Sequence, residues 1–229
     1  ASFVILPKMT QWLASPNAHD QQRVRVEMRR LNQFQVLLGC GAALAYLAFN
    51  SIFMKIWWMH KANPILPAAL PLQLAFALNL AVTSSGDAAL QVSTRAGQNG
   101  LRVIGALSAI TGLVNLGLSI VAMRMGSLTG IAMATVLAQS LGMLASSFYL
   151  CRHLKMAWLP WAFKGCILPL ALIGLAGWLR MVLPMDSATH GAILVGTYAA
   201  MFLLTAWALG VDWAMIKEEL NIMRKIVRK

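Results

Sequence analysis

The chain has 229 residues, 59% of them hydrophobic and 11% charged, with a mean hydropathy of +0.68. Soluble domains carry about 25% charged residues, so the composition excludes an ordinary water-soluble fold and predicts an all-α integral membrane protein. The formal net charge is +12, and its basic residues fall between apolar runs, which assigns the excess to membrane topology and leaves nucleic acid out as a partner.

Ala1 begins inside an apolar run with no charged region before it, which reads as a clipped first helix rather than a signal peptide. On that reading the chain is a fragment and lacks a partner half. Residues 15–32 form a polar, basic connection with Arg23, Arg25, Arg29 and Arg30, and the stripe Val24, Met28, Leu31 predicts a short helix on the membrane surface. A second span ends at the aromatic pair Trp57-Trp58, an interfacial belt. Prolines 64, 67 and 71 then open a third span, where a first turn tolerates them.

The stretch 102–150 is the expected organising element. Two apolar runs, each close to the ~20 residues that cross a bilayer, are joined by Arg124-Met125-Gly126-Ser127, a link of four that predicts a transmembrane hairpin. Small residues such as Gly112, Gly117, Gly130 and Ala134 recur in both arms, so the hairpin is expected to face protein more than lipid, with the other helices packed around it. Two further spans follow. The expected boundaries are about 1–14, 33–58, 67–90, 101–123, 126–150, 160–183 and 190–211, giving one transmembrane lobe over 1–211 and a basic amphipathic helix over 212–229. Fourteen Lys and Arg lie on one set of alternate connections and four on the other, which puts the C-terminal tail in the cytoplasm.

With the spans in place, four features resemble the C-terminal half of polysaccharide flippases of the multidrug/oligosaccharidyl-lipid/polysaccharide exporter superfamily. They are Leu6-Pro7 before a basic stretch, the aromatic end Phe53, Trp57, Trp58, the hydrophilic elbow from Gln91 to Asn99 containing Arg95 and Gly97, and the hairpin Asn115-Leu-Gly-Leu-Ser-Ile…Met125-Gly126-Ser-Leu-Thr-Gly130-Ile-Ala-Met-Ala-Thr135. The resemblance implies one lobe of a 12–14 helix transporter that works by alternating access. It would move undecaprenyl-diphosphate-linked oligosaccharide across a bacterial inner membrane for O-antigen-type polysaccharide. The expected partners are the bilayer, the lipid-linked oligosaccharide and a missing N-terminal lobe. A multidrug or lipid II exporter of the same superfamily is the nearest alternative, and a non-transporting membrane subunit is the alternative from another class.

No catalytic motif, metal-ligand spacing or cofactor motif occurs, and Cys40, Cys151 and Cys166 form no CxxC, so neither an enzyme nor a resident cofactor is expected. Depth supplies the site candidates. At 1.5 Å per residue, Asn79 lies about 18 Å from Pro67, Asn115 about 20 Å from Arg102 and Gln139 about 20 Å from Gly126, all near the midplane. Such carboxamides serve either as hydrogen bonds between helices or as the lining of a hydrophilic path. Asp87 is either a solvated helix end or a gate or coupling carboxylate paired with Arg95. Lys55 and Arg124 are either interfacial anchors or cationic contacts for a lipid diphosphate.

Overall fold

The computed structural model describes residues 9, 11–12, 15, 17–57, 70–93, 98–182, 188–211 and 217. Every regular element among them is helical: α1 (Ala18–Trp57), α2 (Leu70–Ser93), α3 (Gln98–Arg124), α4 (Leu128–His153), α5 (Trp158–Ala162), a π-helical turn (Phe163–Ile167), α6 (Leu168–Val182) and α7 (Ala188–Leu209). Among the described residues, five helices are long and apolar enough to cross a membrane, over 19–50, 100–124, 128–153, 158–182 and 191–209; α2 adds a shorter apolar stretch, Leu70–Thr83. The expected first span and the C-terminal amphipathic helix lie almost entirely outside the described residues, as does Trp58.

Helix α1 corrects the expected split between a surface helix and a span. Its 40 residues contain no proline, and Asn17 starts it: the Asn17 carbonyl accepts from Gln21 at 3.2 Å while its side-chain oxygen accepts the His19 amide at 3.0 Å. With no breaker, the helix runs unbroken for about 60 Å. The stripe that reads as membrane-binding is instead core: Val24, Met28 and Leu31 are buried against Leu150, Cys151, Leu154 and Trp161.

The hairpin forms as expected, with a link of three residues rather than four. Gly126 takes φ +68°, the Ser127 amide reaches back to the Ala122 carbonyl (3.1 Å), and the Gly126 amide reaches Met123 (2.9 Å), a Schellman closure that needs the left-handed residue. Ser127 then caps α4 by accepting the Gly130 amide at 2.9 Å.

The hairpin is not the centre of the fold. That place belongs to α2, which packs against α1, α4 and α6. Alanines make the close approach possible: Ala43 and Ala48 of α1, Ala75, Ala77 and Ala81 of α2, and Ala134 and Ala138 of α4 are all buried. On α3 the small residues do something else. Among the described residues, nothing lies within 4 Å of where a Cβ would sit on Gly105, Gly112 or Gly117, and only 6% of the helix's apolar window is buried. One arm of the hairpin therefore packs into the lobe through its alanines, and the other lies on the outside with Leu113, Leu116 and Val121 exposed.

The π turn has a local cause. Pro169 has no amide to donate and its ring would crowd the carbonyl four residues back, so the helix widens first, and the Leu168 amide bonds to the Phe163 carbonyl five residues behind it. Tyr198 of α7 ties into the same helix by donating its hydroxyl to the Ala176 carbonyl at 2.9 Å.

Candidate functional site

Because α3 leans on α4 and barely meets α2, a groove opens between α2 and α3 with α4 as its floor. Its cavity is about 240 Å³. Two sequence stripes at helical spacing line it: Ser108, Thr111 and Asn115 from α3, and Gln139, Gly142 and Ser146 from α4. Thr83 contributes a hydroxyl from α2. Among the described residues, no charged side chain lines this groove.

A polar contact between the arms borders the groove at Asn115. Asn115 Oδ1 accepts hydrogen bonds from Thr135 Oγ1 (3.3 Å) and from Ser119 Oγ one turn along its own helix (3.4 Å). Asn115 therefore serves both readings, joining two helices and bordering the groove. The Gln139 side chain is exposed, at the groove surface. Asn79 lies on α2 one turn before Thr83, whose hydroxyl donates to the Asn79 carbonyl at 2.8 Å. Its own side-chain oxygen is buried with no hydrogen-bond partner among the described residues.

Not every sequence candidate reaches the groove. Arg124 ends α3 and is exposed, away from the groove's lining residues. The side chains of Lys55 and Asp87, and all of Arg95, lie outside the described residues. Sequence reasoning missed the hydroxyls Thr83, Ser108, Thr111 and Ser146; their signal was helical spacing, Thr83 four residues after Asn79, Thr111 four and Ser108 seven before Asn115, and Ser146 seven after Gln139. Arg180, inside the expected span 160–183, is buried in α6.

The opposite grouping of charge is also visible. The start of α1, the start of α3, the end of α4 and the start of α5 share one end of the bundle, which therefore carries Arg29, Arg102, Arg152 and Lys164. No family model, curated protein or solved structure matches this chain.

Proposed function

We propose that this chain is one lobe of a transporter that passes lipid-linked oligosaccharide across a bacterial cytoplasmic membrane by alternating access, without chemistry of its own. The observation that carries the reading is the groove between α2 and α3: hydroxyl and carboxamide groups gathered within apolar helices, with no charge among the described lining residues. Polar groups at such depth are costly unless they serve protein or a hydrophilic ligand. Sugar hydroxyls match neutral donors and acceptors, whereas an organic cation would call for a carboxylate. The uncovered outer side of α3 is the natural seat of the second lobe, so the groove would become a closed path on assembly. The basic end would face the cytoplasm by the positive-inside bias, and the resemblance in the hairpin motif supplies the substrate class.

The test is complementation. The full-length gene would be expressed in a flippase-null bacterium and surface polysaccharide stained, with Gln139→Leu and Asn115→Ala alongside. Restoration that Gln139→Leu abolishes, at unchanged membrane insertion, supports the reading. Drug resistance without polysaccharide would point to the multidrug exporter, and neither phenotype would point to a non-transporting subunit.

A further inference from the structure

At the basic end of the bundle a second cavity, about 350 Å³, is lined by Arg29, Asn32, Gln33, Pro160, Trp161 and Lys164. It shares no lining residue with the groove. Two of its walls hold polar atoms with nothing to bind. Asn32 is 4% exposed and Trp161 6% exposed, yet Asn32 Oδ1 and Trp161 Nε1 have no hydrogen-bond partner among the described residues. A buried indole N–H without an acceptor is rare in folded chains. Here it stands with two cations and, among the described residues, no lining carboxylate; Glu27, two residues before Arg29, pairs with Arg30 at 3.1 Å. A donor and two positive charges around an empty volume describe a site for an anionic oxygen group. Asn32 joins the donors by turning its carboxamide, since its two ends are close to isosteric. The π turn helps to hold it: a Cβ on Gly165 would lie 3.4 Å from Asn32 Nδ2, so Asn32 rests against bare backbone.

Depth and size narrow the ligand. Gln33 donates to the carbonyl of Leu209, the last residue of α7, at 2.6 Å, so the cavity is level with the ends of the apolar spans, where head groups lie. Trp158 and Trp161 are the aromatic residues typical of that level. The volume falls in the range of small-molecule sites and exceeds what a bare phosphate fills. Basic pockets between membrane helices bind anionic head groups. We propose that this cavity holds the phosphate of an anionic phospholipid head group, through Arg29, Lys164, Trp161 Nε1 and Asn32. This holds whether or not the chain transports a glycan.

The test measures lipid retention by the full chain in detergent, by native mass spectrometry, with phosphatidylglycerol, phosphatidylcholine or inorganic phosphate as probe. Phosphatidylglycerol should be held selectively, and Arg29→Gln with Lys164→Gln should weaken it about thirty-fold. Arg25→Gln with Arg152→Gln removes the same charge from the same end without touching the cavity and should change retention less than about three-fold. Trp161→Phe keeps the ring but removes the donor and should also weaken retention. Where the double variant does not fold, Lys164→Gln alone should give about five-fold. Equal weakening by both charge pairs, or equal retention of phosphatidylcholine, would overturn the site. Binding of inorganic phosphate with no preference for phosphatidylglycerol would overturn the lipid assignment.

Discussion

Thr111 and Gly142 meet across the α3–α4 hairpin so closely that a Cβ on Gly142 would lie 2.7 Å from Thr111 Oγ1, 3.1 Å from its Cγ2 and 3.4 Å from its Cβ. All three threonine atoms crowd the same point, so rotating the side chain only exchanges one clash for another. Gly142→Ala should therefore destabilise the lobe by about 1–3 kcal/mol, the usual range for overpacking. Thr111→Ala in the same chain should recover most of that loss. Unfolding of the four members of this cycle in mixed micelles measures the coupling, and additive effects would mean that the arms do not meet there.

A second contact between the arms tests how firmly the groove is held. The bond from Thr135 to Asn115 is long, at 3.3 Å, and the same hydroxyl also reaches the Ile131 carbonyl at 3.4 Å. Hydrogen bonds between membrane helices average about 0.6 kcal/mol, so Thr135→Val should cost about that much and no more. Asn115→Ala combined with Thr135→Val should cost less than the two singly, because each removes the same bond. A melting series in detergent reads both.

Turn chemistry gives a prediction in the opposite direction. Lys155 follows α4 at φ 52°, with its amide bonded to the Arg152 carbonyl (3.3 Å) and the Met156 amide bonded to the Cys151 carbonyl (2.8 Å). These are the two bonds that Gly126 and Ser127 make after α3 and that Gly210 and Val211 make after α7, at φ +68° and +69°. Lysine occupies the left-handed position that glycine fills at the other two ends, and a side chain there is disfavoured by about 1 kcal/mol. Lys155→Gly should raise the melting temperature, and Gly126→Ala should lower it. Lys155 is exposed and lines neither cavity, so its replacement should leave transport and lipid retention unchanged.

These features differ in how far sequence alone reveals them. The hairpin was legible because Gly126-Ser127 combines a left-handed residue with a helix cap between two long apolar runs. Asn115 and Gln139 were legible as deep carboxamides, since hydrophobic neighbours make a polar residue conspicuous. The packing of α3 was not, because a glycine that admits a close neighbour and a glycine that has none are the same letter. Val24, Met28 and Leu31 give one stripe whether the helix lies on lipid or on protein, and only the meeting with Leu150 and Trp161 decides between them. The cavity at the basic end was out of reach for the same reason. Asn32 and Trp161 are 129 positions apart, and each alone is an ordinary residue of a span end.

Asn79 separates stability from function most sharply. Its carboxamide oxygen is buried without a partner among the described residues, on a helix that otherwise packs through Ala75, Ala77, Leu78 and Ala81. An unmet buried acceptor costs about 1–3 kcal/mol, while an apolar side chain of similar shape carries no such penalty. Asn79→Leu should therefore leave the lobe as stable or up to about 2 kcal/mol more stable, since Thr83 bonds to the backbone carbonyl, which the substitution keeps. If Asn79 lies on the path of a sugar, one turn from Thr83 in the groove wall, the same variant should lose surface polysaccharide in the complementation strain. A higher melting temperature with lost transport would identify a residue held against the interest of stability. A higher melting temperature with full transport would remove Asn79 from the path and leave Asn115, Gln139 and Thr83 to carry it.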